Sequence, residues 1–204
     1  LIYMADNGYY AASRGFAGKW SHYDESLRVP LIIYDPRAEK KRRGKVADPM
    51  VLNTDIAPTI LGYAGVKAPQ QYQGRSLLQI MNGEKITDWR KDTFCEHLME
   101  NNTIPKWEGV RSSRYVYARY FEQIPQYEYL HDLQKDPDQL ENLVSDPAYA
   151  NLLNQLRKRC NFLRDSYGGE YDPSLVANYI AEQQRKRAKN EAKRKSLKQK
   201  NRLK

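Results

Sequence analysis

Asp6-Asn7-Gly8 sets a carboxylate beside a carboxamide at the end of the apolar run Leu1-Ile2-Tyr3-Met4-Ala5. A hard cation such as calcium takes oxygen ligands. A turn at the carboxyl end of a strand can present two of them in a fixed geometry, although the same triplet also forms ordinary turns. Downstream lies Gly18-Lys19-Trp20. The Lys19 ammonium could face an anion held by such a metal and offset charge on a departing group, or it could be a solvated loop lysine. His22 is either a proton donor to a leaving alcohol or a loop histidine. His97, in Phe94-Cys95-Glu96-His97, sits at a strand end and is the better candidate for a substrate contact, while His131 reads as structural. Cys95 and Cys160 lack zinc-ligand spacing and read as buried thiols, with a single disulfide as the alternative.

Two strands must carry the first of these groups. The opening run stops at the Asp-Asn-Gly turn, and Val29-Pro30-Leu31-Ile32-Ile33-Tyr34 stops at Asp35-Pro36. Neither alternates cleanly, so both are expected to be covered on two faces, as in the parallel sheet of an α/β domain. Asn53 to Leu61 predicts a helix capped by Thr54 or Asp55, with Pro58 in its first turn and Gly62 or Gly65 at its end. A short helix is predicted over 76–81. From residue 93 the pattern shifts to β-prone pieces at 93–98, 107–112, 115–121 and 127–133, which predict a small antiparallel sheet. Asp146-Pro147 then opens a helix with Leu152, Leu153, Leu156, Cys160 and Leu163 at helical spacing, closed by Gly168-Gly169. Leu175, Val176, Tyr179 and Ile180 anchor one more predicted helix before the apolar residues thin out.

The whole run ADNGYYAASRGFAGKWSHYDESLRVPLIIYDP resembles the type I, formylglycine-dependent sulfatases of the alkaline phosphatase-like superfamily. The matching features are the strand-end Asp-Asn-Gly, the Gly-Lys pair and the segment Tyr23-Asp24-Glu25-Ser26-Leu27-Arg28-Val29-Pro30-Leu31. The likeness continues through VLNTDIAPTILGYAGV, Gly74-Arg75-Ser76-Leu77, Gly109-Val110-Arg111 and Tyr129-Leu130-His131-Asp132-Leu133, to about residue 165. It implies that residues 1–90 are the C-terminal part of the catalytic α/β domain. Residues 91–168 would form a C-terminal subdomain with an antiparallel sheet and a packed helix, and 169–204 a helical basic tail. Asp6 and Asn7 would be calcium ligands, calcium being expected ahead of magnesium, and Lys19 a sulfate contact. Lys19 and His97 are the candidate catalytic residues, with Arg14, His97 and Arg111 as candidate substrate contacts and Trp107 as a possible pocket or packing residue. Phosphoesterases of the superfamily carry His at the place of Asn7, so the carboxamide favours a sulfatase. Arg14 stands in the loop where family members carry Gly-Glu-His-Gly, which leaves that loop histidine in doubt. The family nucleophile arises from Cys or Ser within C/S-x-P-x-R. Cys95 is followed by Glu96-His97-Leu98 and Cys160 by Asn161-Phe162-Leu163, so the formylglycine is expected outside this chain. The isolated chain is accordingly expected to be inactive, and the N-terminal part of the sulfatase is its expected partner. A sulfated small molecule or glycan is the expected ligand, and the family favours a periplasmic or secreted protein.

Two other readings are open. The 204 residues carry a net +9, but 183–204 contain eleven Lys or Arg against Glu191 alone. Without this tail the net charge is −1, so the excess describes the tail and makes nucleic acid an unlikely partner for the body. The second reading is a non-catalytic module, derived from a sulfatase, that binds sulfated glycans or a partner chain. No apolar run reaches the roughly 20 residues that span a bilayer.

Overall fold

The computed structural model describes residues 1–99, 104–174 and 185. Leu1–Arg164 is one compact unit and Asp165–Lys204 a second. The first unit opens with β1 (Ile2–Met4) and β2 (Leu31–Ile33), joined by a long loop that contains α1 (Asp24–Leu27). The two strands pair with each other antiparallel, Tyr3 opposite Ile32, where parallel neighbours were expected. Ile2 and Met4 are partly buried, whereas Tyr3 and Ile32 stand 60% and 59% exposed on one face.

A 3-10 turn, Asn53–Asp55, leads into α2 (Ile56–Tyr63). Fully buried Asp55 organises this region. Its carboxylate accepts from the backbone N–H of Leu52 at 2.8 Å and of Arg75 at 2.7 Å, and takes both prongs of Arg90 at 2.5 and 2.7 Å. Thr59 Oγ1 donates to the Asp55 carbonyl and accepts from the Leu77 N–H, which seats α3 (Leu78–Met81) against α2. That helix starts two residues later than the sequence pattern predicted.

The predicted antiparallel sheet is present as β3 (Asp92–His97), β4 (Trp107–Ser112), β5 (Tyr115–Tyr120) and β6 (Tyr127–Asp132), paired in sequence order. Strand alternation divides its residues between two faces. On one, Val110, Tyr117 and Leu130 pack against Leu153, Leu156, Cys160 and Leu163 of α4 (Ala150–Ser166), the helix expected after Pro147. Ion pairs line the same face, Arg157 to Glu128 and Arg159 to Asp92, the latter with two bonds of 2.7 Å. On the other, Trp107, Ala118 and Tyr120 pack with Cys95, Tyr129 and Leu27 of α1. Cys95 and Cys160 are free thiols on opposite faces, each pushed up to about 12 by burial, which keeps them protonated and unreactive.

In the second unit, Asp172 accepts from the Ser174 N–H at 2.8 Å. The helix expected after Pro173 and the basic tail fall on residues 175–204, which apart from Arg185 lie outside the described residues. Among the described residues no helix is long and apolar enough to cross a membrane.

Replacing Arg90 by Met strands the buried Asp55 carboxylate. Urea unfolding is expected to show a loss of about 3–5 kcal/mol, whereas Arg37→Met, on the solvent-screened Asp35 pair, should leave the unfolding midpoint essentially unchanged.

Candidate functional site

The chain leaves β1 at Met4 and turns through Asp6-Asn7-Gly8. Asp6 is exposed, and its Oδ1 accepts from the Asn7 N–H at 2.9 Å. Asn53 Nδ2 donates to the Asp6 carbonyl at 2.7 Å, tying the turn to the start of the α2 region. Asn7 Nδ2 donates to the Gly8 carbonyl, and Asn7 Oδ1 accepts from Lys19 Nζ. The Gly8 N–H donates to the Ser26 carbonyl at 2.9 Å, and a Cβ on Gly8 would run into the Glu25 carbonyl. Only glycine lets this turn lie so close to α1.

Helix α1 distributes the neighbouring groups. Asp24 takes Nε and Nη2 of Arg111 from β4 at 3.1 and 2.9 Å, and its own N–H donates to Gln139 Oε1. Glu25 takes Arg14 Nε at 2.8 Å and the Ser13 hydroxyl at 2.9 Å. Ser26 Oγ accepts the Trp20 N–H at 3.0 Å, while the Trp20 carbonyl accepts from Trp107 Nε1 at 2.7 Å. Anchored at both backbone groups, Trp20 adopts φ 98°, a left-handed conformation that costs a bulky residue on the order of 1–3 kcal/mol. That conformation sets the indole under Lys19 Nζ, 4.9 Å from the ring centre, and 5.3 Å from the ring of His97.

Asp6, Asn7, Lys19 and His97, which lie far apart in sequence, therefore form one series of contacts with Trp20 as its link. Arg14 and Arg111 belong to the scaffold of α1. Arg14 also donates to the carbonyls of Asp138 and Gln139 and lies 4.2 Å over the Tyr23 ring, and Arg111 Nη1 donates to the Ser112 carbonyl. Trp107 is buried behind Trp20. The role of Trp20 escaped the sequence reading because nothing in a tryptophan signals a left-handed backbone, as a glycine would.

Beside Lys19 opens a cavity of about 240 Å³, walled by Phe16, Trp20, Tyr23, Tyr120 and Tyr129. His97 Nε2 is buried and has no hydrogen-bond partner among the described residues. Burial, and then the Lys106 ammonium, hold the His97 ring below the ordinary imidazole value, so it is neutral at pH 7. Buried His22 also lines the cavity, and its ring is bonded to that of buried His131 at 3.3 Å.

Asp6 and Asn7 offer hard oxygen donors of the kind calcium takes, and the Asn7 oxygen already faces a cationic group. Calcium needs about six to eight such oxygens. Among the described residues no group of three or more His, Cys, Asp or Glu could hold a metal ion. Two oxygen donors fit only part of a calcium site, which would need further ligands from outside the described residues.

Residues 13–166 match the family described as N-sulphoglucosamine sulphohydrolase, C-terminal. An arylsulfatase of Clostridium perfringens is 31% identical over 164 residues, which is 78% of this chain and 32% of that protein. This chain belongs to the sulfatase family. It corresponds to the C-terminal portion of those alkaline phosphatase-like enzymes. An N-acetylglucosamine-6-O-sulfatase of Bacteroides thetaiotaomicron is 30% identical over 161 residues, covering 76% of this chain and 28% of that protein. A solved structure of a protein in complex with its substrate D-glucosamine-2-N,6-O-disulfate superposes with a TM-score of 0.75 at 26% identity, over 81% of this chain and 34% of that one. A phosphonate monoester hydrolase of Agrobacterium radiobacter shares the fold, with a TM-score of 0.70 at 23% identity. The sulfatase chain spans about a third of the length of the curated relatives it matches.

The close approach of Gly8 to α1 makes a specific demand. Gly8→Ala should push the Asp-Asn-Gly turn off α1 and cost about 1–3 kcal/mol, read as a lowered melting temperature. An unchanged melting temperature would show that the turn and α1 do not pack as described.

Proposed function

We propose that this sulfatase segment supplies part of the metal and sulfate site of a complete enzyme that hydrolyses sulfate esters of sugars. The observation that carries this reading is the contact of Asn7 Oδ1 with the Lys19 ammonium at the end of β1. It sets a cation against a hard oxygen donor whose chain neighbour is the exposed carboxylate of Asp6, residue types that a divalent ion and a sulfate group would both use.

In this reading Asp6 and Asn7 hold calcium with oxygens from the N-terminal part of the protein. The ion would supply electrostatic stabilisation of the sulfate oxygens. Lys19 donates to a sulfate oxygen and offsets the charge that develops as the S–O bond to the sugar breaks. Trp20, held rigidly, keeps the lysine over the site by a cation–π contact. In this reading His97, neutral, beside the indole and with no partner for Nε2 among the described residues, is the candidate contact for the leaving alcohol. The formylglycine nucleophile belongs to the N-terminal part. The exposed apolar pair Tyr3 and Ile32 is a surface that part could cover. A sugar sulfate is favoured by the aromatic walls of the cavity beside Lys19, which suit the apolar face of a pyranose ring, and by the glucosamine sulfate named for two of the relatives.

In the complete protein, Lys19→Met is expected to lower kcat/KM for a sulfate ester about 10²–10³-fold with calcium content unchanged. Asp6→Ala should lose calcium by elemental analysis, and a normal calcium content in that variant would refute the metal assignment.

A further inference from the structure

His22 and His131 take no part in the contacts that join Lys19 to His97, yet both are buried, His22 to 1% exposure. Their rings stack with centres 5.4 Å apart, with Tyr23 and Tyr129 at 4.1 and 4.5 Å from the His22 ring. The hydrogen bonds allow only one placement of protons. His131 Nδ1 lies 2.7 Å from the Glu141 carbonyl, which can only accept, so that nitrogen carries the hydrogen. In a neutral ring Nε2 is then bare, and it accepts from His22 Nε2 at 3.3 Å. His22 Nδ1 is left bare in turn, and accepts from the Tyr120 hydroxyl at 2.9 Å. One hydrogen per link thus runs from Tyr120 on β5 through His22 on the Lys19 loop and His131 on β6 to the turn that follows.

We propose that this chain of hydrogen bonds is a latch that holds the Lys19 loop on the sheet while both imidazoles are neutral and releases it when the pair takes up a proton. A proton on His131 Nε2 would set two N–H groups against each other. One on His22 Nδ1 would leave the Tyr120 hydroxyl without its acceptor. Among the described residues neither ring is bonded to a carboxylate. Tyr23, Tyr120, Tyr129 and Trp107 face His22, the Arg14 guanidinium opposes charge on both rings, and Glu25 is taken up by Arg14. The Glu141 carbonyl bonded to Nδ1 and then the Asp136 carboxylate favour a charge on His131, and burial outweighs both.

Burial holds both rings below the ordinary value, His22 the further. Stability from the pair is therefore complete above about pH 6.5 and is lost as pH falls from there toward the depressed folded values, the unfolding constant rising by up to about tenfold per pH unit for each ring. Only the consequence for sulfate binding by Lys19 rests on the sulfatase reading. The latch itself does not.

The test is nitrogen NMR of ¹⁵N-histidine in the complete protein, assigned with His22→Gln. At pH 7.5 His22 is expected as the Nε2–H tautomer and His131 as the Nδ1–H tautomer. The opposite tautomer at either ring, or a ring that titrates near pH 6.5 with the fold intact, would overturn the proposal. His131→Asn keeps an N–H donor but cannot titrate, and should make the rise of the unfolding constant between pH 7 and 5 shallower by up to about tenfold per pH unit. An unchanged slope would count against the latch. Should His131→Asn fail to fold, the ring spectra decide alone. Tautomers other than these would leave the sulfatase reading standing, and a Lys19→Met enzyme with full turnover would leave the latch standing.

Discussion

Four residues of α1 hold the Asp-Asn-Gly turn, the Lys19 loop and the four-stranded sheet in register with one another. The Ser26 carbonyl takes the Gly8 N–H and the Ser26 hydroxyl takes the Trp20 N–H, while Asp24 and Glu25 bind Arg111 and Arg14. A helix this short has no stability of its own, since its hydrogen bonds cannot offset the cost of nucleation. It exists because each side chain answers a group from another element. The motif Tyr-Asp-Glu-Ser therefore acts as a junction, and the residues that would meet metal and sulfate are placed through it.

The sheet contributes by having two different faces. Its α4 face is filled by aliphatic side chains, Tyr117 and Cys160, and framed by arginine–carboxylate pairs that fix the helix along the strands. Its other face carries aromatic and imidazole rings against the loop that precedes α1. Strand alternation is what sorts His97, Trp107, Arg111, Tyr120 and His131 to the same side. A shift of one residue in any of these strands would send its member to the helix side.

Strain is concentrated where the candidate site lies. Ala11, Ala12, Arg14 and Trp20 all have positive φ within one loop, and the backbone groups of Trp20 are held at both ends by hydrogen bonds. Such conformations persist only where the surroundings over-determine them. Here the surroundings are α1, Trp107 and the paired histidines, and the result is a lysine held against both Asn7 and an indole.

The sequence by itself determined the elements and the family likeness. Alternation and turn residues placed β3 to β6 to within about a residue, Pro147 marked the 3-10 turn that leads into the helix packed on them at Ala150, and the spacing of Asp6, Asn7 and Lys19 within a long ordered motif singled out one corner of the protein. These are local signals, written in one stretch of chain. Tertiary structure alone decided that β1 and β2 pair antiparallel, that Arg14 and Arg111 are bound to consecutive carboxylates of α1, that Trp20 joins Lys19 to His97, and that His22 meets His131 across 109 positions. Each of those outcomes is a pairing between distant residues with more than one possible partner. Which partner an arginine or a histidine finds is set by the packing that brings the elements together, and side-chain type alone does not specify it.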